Sequence, residues 1–397
     1  MSIIFWLSLF IVFYTFAGYG FFLYFLIKIK RLFKGKPTPP SFKADGLPAC
    51  TLVVAAYNEE FLIEEKVVNC LQLNYPAGKL KLLFITDGSS DKTPDIIGRY
   101  PQVQLLHQAT RAGKIAAVHR AMEHVNTEIA IFTDANTFLN TDAIINICRH
   151  YADDTVGAVA GEKRVQINEN ADASAAGEGF YWKYESALKK WDSELYSVVG
   201  AAGELFSVRR SLYEDVPADT VLDDFMISML IAAKGYRIIY EPEAYAIETA
   251  SENVSEELKR KIRIAAGGIQ SILRLKNLFN PFKYPVLSFQ YVSHRVLRWT
   301  VTPFLLILVF VLNAFLAFKP DAFFYQLFFS AQILFHVLAV LGLMMEKRQL
   351  RIKILFIPYY FCVMNYAVLM GIIRYFGKKQ SAIWEKAQRK QEVTLQS

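Results

Sequence analysis

Long apolar stretches at both ends of this chain enclose a middle of short, alternating patterns. From Ile3 to Ile27 no charged residue occurs, and the run exceeds the roughly 20 apolar residues that cross a bilayer core. Lys28-Ile29-Lys30-Arg31, Lys34 and Lys36 follow it. A signal peptide carries its charge in front of a shorter apolar core, so this segment is predicted to remain as an anchor. The positive-inside rule then puts the basic cluster and the segment after it in the cytosol.

Pro37, Pro39, Pro40 and Pro48 mark an extended linker. Beyond it, strands are predicted over Thr51 to Ala55, Lys81 to Thr86, Val103 to His107, Glu128 to Thr133 and Val156 to Gly161. Helical patterns cover Glu60 to Leu73, Ile115 to Val125 and Asp142 to Tyr151. Such alternation implies a mostly parallel sheet with covering helices. Toward the C-terminus, Lys259 to Leu275 and Tyr284 to Trp299 mix basic and apolar residues, as interfacial helices do. Val301 to Phe318, Ala322 to Met345 and Ile352 to Phe376 are long enough to span, and Pro358 is expected to kink the last. Three spans after a cytosolic domain would leave Lys378, Lys379, Lys386, Arg389 and Lys390 outside, against the charge rule. Either one segment is re-entrant or the rule fails here.

Composition agrees with a membrane protein. Hydrophobic residues make up 53% of 397 and aromatics 14%, enough for one soluble domain and several spans. The net charge of +7 fits topology and contact with anionic lipid, not nucleic-acid binding. Cys50, Cys70, Cys148 and Cys362 lack CxxC spacing, which argues against zinc and against a disulfide framework. The six histidines show no metal-ligand spacing. Asn253-Val254-Ser255 is a glycosylation sequon on the expected cytosolic side, where it would go unused.

The chemistry lies in acidic residues. Asp87, in Ile85-Thr86-Asp87-Gly88-Ser89-Ser90-Asp91, and Asp134, in Phe132-Thr133-Asp134-Ala135-Asn136, each follow an apolar run. In open parallel sheets ligands bind beyond the carboxyl ends of the strands, so one cleft would collect both. Asp223-Asp224 precede Phe225. Carboxylates gathered in one cleft raise each other's pKa unless a cation offsets them. Mg²⁺ bound also to a diphosphate is the economical solution, and Asp134 with Asn136 has the form for it. Each Asp alone reads equally well as a turn former or helix cap. Arg111-Ala112-Gly113-Lys114 is not a P-loop, which would need Gly at Gln108 and Ser or Thr at Ile115. The first strand lacks a following GxGxxG, against a nicotinamide site.

Taken in order, Val53-Val54-Ala55-Ala56-Tyr57-Asn58-Glu59-Glu60, Thr86 to Asp91, Arg111 to Lys114, Thr133 to Asn136, Gly203 to Arg210 and Asp223-Asp224-Phe225 resemble the successive motifs of family 2 glycosyltransferases. The likeness extends over nearly the whole chain and points to the membrane-anchored branch of poly-N-acetylglucosamine, hyaluronan and cellulose synthases. It implies an α/β GT-A fold, Rossmann-like with a mostly parallel sheet, a nucleotide-sugar donor, Mg²⁺ or Mn²⁺, and inversion at the anomeric carbon. By position, Tyr57, Glu59 and Asp87 would line the nucleoside pocket, with Lys114 near the nucleotide. Asp134 would reach metal and diphosphate with Asn136 beside it. Asp224 would be the general base, supported by Asp223, and ionised at cytosolic pH if its pKa is ordinary.

The sequence departs from the family pattern at specific places. Asn136 replaces the second Asp of DxD and removes a negative charge. The QxxRW motif stands as Arg260-Lys261-Ile262-Arg263-Ile264, in which Arg263 keeps the diphosphate partner while Ile264 replaces the acceptor-stacking Trp. Arg260 and Arg263 are both expected at the nucleotide sugar. Arg295-Val296-Leu297-Arg298-Trp299 reads as an interface anchor, with snorkelling Arg and a Trp at headgroup level. Glu204 either contacts the acceptor or faces solvent. Tyr181-Trp182-Lys183-Tyr184-Glu185 is either an acceptor platform or core.

The expected organisation is an anchor at 1–30, a basic linker at 31–48, a glycosyltransferase domain at 49–250, interface helices at 251–300 and a membrane region with a basic tail at 301–397. The expected function is a multi-pass inner-membrane enzyme with a cytosolic catalytic domain, extending a cell-surface polysaccharide from a UDP-linked donor. Its partners would be a nucleotide sugar, a polysaccharide or lipid-linked acceptor and membrane lipids, with no nucleic acid. Single-sugar transfer to a polyisoprenyl-linked acceptor is the alternative enzyme, and a non-catalytic synthase partner the alternative outside enzymes.

Overall fold

The computed structural model describes residues 1–37, 46–166, 173–249, 254–347 and 353–378. Pro39 and Pro40 of the linker, Asn253 of the sequon and Lys379, Lys386, Arg389 and Lys390 of the tail lie outside these residues.

The uncharged N-terminal run forms α1 (Ser2–Phe13), a π-helical turn (Tyr14–Gly18) and α2 (Tyr19–Lys34). The chain then enters β1 (Cys50–Ala56), α3 (Ile63–Leu71), β2 (Leu80–Asp87), α4 (Thr93–Ile97), β3 (Val103–Gln108), α5 (Lys114–His124) and β4 (Ile129–Asp134). There follow β5 (Thr137–Leu139), α6 (Ala143–Cys148), β6 (Val156–Gln166), α7 (Ala173–Leu195), β7 (Leu205–Arg209), α8 (Asp223–Ala233) and β8 (Arg237–Thr249). Last come α9 (Val254–Arg274), α10 (Pro285–Tyr291), α11 (Leu297–Trp299), α12 (Thr302–Ala317), α13 (Phe323–Lys347) and α14 (Lys353–Phe376).

Among the described residues the strands make one eight-stranded sheet in the order β3-β2-β1-β4-β7-β6-β8-β5. Every residue of β1 is buried, as a central parallel strand covered on both faces requires. The half from β3 to β4 is parallel, as the alternation predicts. Beyond it β7 enters antiparallel between β4 and β6, and β5 pairs antiparallel with β8, so the far half is mixed. Helices on the two faces close separate cores: Ile115, Val118, Phe225 and Met229 belong to one, and Ile63, Val67, Ile144 and Ile147 to the other.

Among the described residues, three helices are long and apolar enough to cross a membrane: Ser2–Lys34, Phe323–Glu346 and Ile354–Phe376. The span expected from Val301 to Phe318 is shorter. At 16 residues α12 reaches about 24 Å at 1.5 Å per residue, less than a hydrocarbon core of about 30 Å. It meets Pro285–Trp299 at a 60° bend, the geometry of a broken span or a re-entrant loop. The chain therefore has a multi-pass membrane topology around a central α/β unit.

Polar contacts join the first span to that unit. Arg31 donates to both oxygens of Glu194 on α7, at 2.6 and 2.7 Å, and Tyr14 Oη lies 2.8 Å from Ser293 Oγ. Deeper in, Asp192 accepts from Tyr19 and from Gln290 (3.0 Å), and His294 Nδ1 lies 2.5 Å from it. Arg295 and Arg298 pair with buried Glu185 at 2.8 and 2.9 Å. Trp299 packs on Phe225 and against Gly268. The Arg295 to Trp299 segment is therefore turned inward, contrary to its reading as a headgroup anchor, because a buried carboxylate on α7 gives its guanidiniums a better partner than water. Glu185 is accordingly part of this packing and Tyr184 packs against Gly20, so these two members of the 181–185 cluster are core.

Candidate active site

The carboxyl ends of β2, β1 and β4 lie side by side and carry Asp87, Tyr57 and Asp134 into one cleft. Asp87 is 5% exposed, and its carboxylate accepts from the N–H of Ala112 (3.0 Å) and of Gly113 (2.6 Å). It thereby fixes the Arg111 to Lys114 loop. Gly113 sits at φ +100°, which a residue with a side chain rarely adopts, and its turn delivers Lys114 as the first residue of α5. The Arg111 guanidinium stacks 3.8 Å from the centre of the Tyr57 ring. Ala55, Ala56, Tyr57, Asp87, Arg111 and Lys114 together line a cavity at the mouth of the sheet. Glu59 is buried beside it and anchors its loop by donating its N–H to Thr93 Oγ1 at 2.8 Å.

Lys114 links this cavity to the acidic groups. Its ammonium donates to Asp134 at 2.9 Å and lies 3.7 Å from Asp223. Asp223 and Asp224 open α8, and a Cβ at Gly203 would stand 3.4 Å from Asp224 Oδ2 and 3.5 Å from Lys114 Nζ. Gly203 thus lies within ordinary contact of both groups. Burial opposes the Lys114 charge, but Asp134, Asp223 and Asp224 outweigh it and raise its pKa. Asp224 differs from the ordinary carboxylate expected of it: burial first, then the neighbouring Asp223, push it up to about 7 against the pull of Lys114.

Beneath the Asp134 turn is a residue the motif reading missed. Lys66 is fully buried and donates to Thr137 O at 2.6 Å and Thr133 Oγ1 at 3.2 Å. Burial lowers its pKa. Its spacing with Ile63, Val67 and Cys70 puts it on the apolar face of α3, and a lysine on that stripe was the available signal.

The donor set at Asp134 suits a divalent cation whose shell a substrate completes. Asp134 and buried Asn136 supply oxygens at one strand end, and among the described residues no cluster of three or more His, Cys, Asp or Glu could hold a metal alone. Mg²⁺ commonly takes one or two protein ligands, with waters and substrate phosphates for the rest. Burial is the first cause of the raised Asp224 pKa and the neighbouring Asp223 charge the second, and a cation in the cleft would offset the second.

The two expected arginines diverge. Arg260 donates to both oxygens of Glu257 (2.8 and 2.9 Å) on its own helix. Glu204, whose backbone accepts from Thr133 at 2.8 Å, pairs through its carboxylate with buried Lys163 at 2.6 Å, and Lys163 also pairs with Glu248. Burial works against the Glu204 charge, but Lys163 holds it well below the usual carboxylate range. Glu204 thus belongs to an internal charge network and does not face solvent. Arg263 instead is felt at the acidic site: burial above all, with Arg260 and Arg374, lowers its pKa, against Asp223 and Asp134, which favour its charge.

Known proteins with the same pattern were found by comparison. Residues 51–216 match the profile of Glycosyl transferase family 2. The poly-beta-1,6-N-acetyl-D-glucosamine synthase of Staphylococcus aureus (strain COL) is 26% identical over 242 residues, 59% of this chain and 58% of that protein. The matched part of the chain thus spans 58% of the length of that relative. The Staphylococcus epidermidis protein of the same name is 24% identical over 364 residues, 85% of this chain and 87% of its own. A mannosyltransferase from Pyrobaculum calidifontis, solved with GDP-Man and Mn²⁺, shares the GT-A fold with a TM-score of 0.70 at 24% identity, covering 95% of this chain and 99% of that one. The unit that holds Asp87, Lys114 and Asp134 is thus the part of the chain that matches Glycosyl transferase family 2, and it has a GT-A fold set between apolar membrane helices.

Proposed function

We propose that this protein is an inverting glycosyltransferase that moves a sugar from a UDP-linked donor to a growing polysaccharide, with its catalytic unit at residues 49–250 on the cytosolic face of the inner membrane. The observation that carries the reading is the meeting of Asp134, Lys114, Asp223 and Asp224 beside the Tyr57 cavity. The name borne by the staphylococcal relatives supports a polymeric product.

In this reading the nucleobase enters against Tyr57 and Arg111, and Asp87 holds the loop that shapes the pocket. Lys114 and Arg263 set positive charge where the diphosphate departs. An acceptor hydroxyl attacks the anomeric carbon from the face opposite the leaving group. Its proton passes to a carboxylate oxygen of Asp224 as the bond from carbon to diphosphate oxygen breaks. One displacement inverts the configuration and requires no covalent nucleophile. A base with a pKa near the working pH suits this transfer. A divalent cation bound through Asp134 and Asn136 would supply Lewis-acid stabilisation to the leaving diphosphate.

Ile264, where an acceptor-stacking Trp would stand, favours a second reading: transfer of one sugar to a lipid-linked acceptor. Purified protein in lipid nanodiscs, given UDP-sugars with Mn²⁺ and examined for product length, separates the two. A ladder of oligomers supports the polymerase and a single addition the alternative. No transfer to either acceptor class, with donor and metal binding intact, contradicts both.

A further inference from the structure

The last apolar helix brings a second guanidinium to the cationic side of the site. Where α14 crosses α9, a Cβ on Gly371 would lie 2.5 Å from Ala265 Cβ and 2.8 Å from Ala266 N, so the two backbones are in direct contact. Arg374 stands one turn beyond Gly371 on α14 and Arg263 just before Ala265 on α9. The Arg374 Nε is buried without a hydrogen-bond partner. Among the described residues neither Arg263 nor Arg374 has a carboxylate in ion-pair range. Arg260, on the same helix as Arg263, is by contrast neutralised by Glu257 at 2.8 Å.

Two nearby guanidiniums, each partly withdrawn from water, with Asp223 and Asp134 acting on Arg263 only from beyond ion-pair range, leave positive charge that an anion joining them would offset. Arginine on a membrane helix usually serves a site or snorkels to the interface. A snorkelling side chain would hydrate its donors, whereas the Arg374 Nε is buried. Planar guanidiniums are suited to bidentate contact with phosphate oxygens.

We infer that Arg374, paired with Arg263 across the contact of α14 with α9, is a binding residue for a phosphate-bearing ligand at the membrane end of the cleft. The inference rests on the glycosyltransferase reading for the identity of that cleft. Two sources present this chemistry there: the diphosphate of the donor nucleotide, and the phosphate of a polyisoprenyl-linked acceptor. In either case the last membrane helix supplies part of the site, so substrate binding is coupled to how α14 sits against α9.

The test uses the full-length protein in nanodiscs and measures equilibrium binding of UDP with Mn²⁺ and, separately, of undecaprenyl phosphate, for wild type, Arg374→Gln and Arg374→Lys. Loss of one charge-assisted bidentate contact predicts about tenfold or greater weakening for Arg374→Gln and a smaller loss for Arg374→Lys. Weakening of UDP alone identifies the donor diphosphate, and weakening of the lipid phosphate alone identifies the acceptor. Wild-type affinity of Arg374→Gln for both probes overturns the inference. If Arg374→Gln fails to fold, the Lys variant decides, because wild-type affinity there for both probes contradicts a fork-shaped contact. Failure of wild type to bind UDP or a sugar nucleotide under any metal condition would refute the glycosyltransferase reading itself, an outcome distinct from equal binding by wild type and variant.

Discussion

The pKa of about 7 at Asp224 predicts an activity that climbs through neutral pH. A base works in its ionised form. About a tenth of a carboxyl with that pKa is ionised at pH 6 and about nine tenths at pH 8, so kcat/KM, which reports the free enzyme, should rise about tenfold across the window and then level. A carboxylate near 3.8 would give a flat profile there. Asp223→Asn removes the neighbouring negative charge, lowers the Asp224 pKa and moves the rising limb to lower pH. Each unit of that movement corresponds to about 1.4 kcal/mol of electrostatic coupling. The assay is initial rate against pH at low donor concentration, with nucleotide binding measured at each pH so that donor titration is subtracted. A wild-type profile flat from pH 6 to 8, or a limb that stays in place in Asp223→Asn, would refute the role of Asp224 as the base and of Asp223 as its modulator.

Alanine at Asp134 should remove the Mn²⁺-dependent part of UDP binding while membrane insertion is unchanged; binding with full metal dependence would exclude Asp134 as a ligand. Stripping divalent metal from wild type with EDTA should weaken UDP binding at least tenfold, and Mn²⁺ should restore it; isothermal titration before and after chelation reads both. Glu185→Ala leaves Arg295 and Arg298 without their buried partner, so a loss of about 3–5 kcal/mol is expected, measured as a fall in thermal midpoint in detergent, and an unchanged midpoint would show that water already satisfies these arginines. Lys66→Met should reduce turnover more than donor affinity, because it alters the support of the Asp134 turn; equal loss in kcat and KM-derived affinity would contradict a positioning role.

Legibility in the sequence followed the range of the interactions. β1, β2 and β4 were readable because central parallel strands are continuous apolar runs, and an aspartate at the end of such a run, as in β2 and β4, marks the ligand-binding edge. β7 was not, since five residues with a serine and an arginine among them carry little pattern, and its antiparallel place between β4 and β6 depends on the rest of the sheet. The direct contact of Lys114 with Asp134 joins two motifs that sequence reading kept apart. Arg295, Arg298 and Trp299 looked like an interface belt because composition records charge next to apolar residues and not the direction in which they point. Their partner, Glu185, lies on a helix more than a hundred residues earlier. The 60° bend before α12 falls where the mixed segment 284–299 gives way to the apolar run from Val301, and the awkward count of spans pointed to it, but its angle depends on how the two helices pack.

The central claim is sugar transfer, and the most direct measurement is incubation of the purified, lipid-embedded protein with a panel of nucleotide sugars and Mn²⁺ or Mg²⁺, following nucleotide release and product size together. Release of UDP with a lengthening carbohydrate product, lost in Asp224→Asn, is the predicted result. Intact, metal-dependent donor binding without release or product, in the presence of both oligosaccharide and lipid-linked acceptors, would contradict it and assign the protein a non-catalytic role.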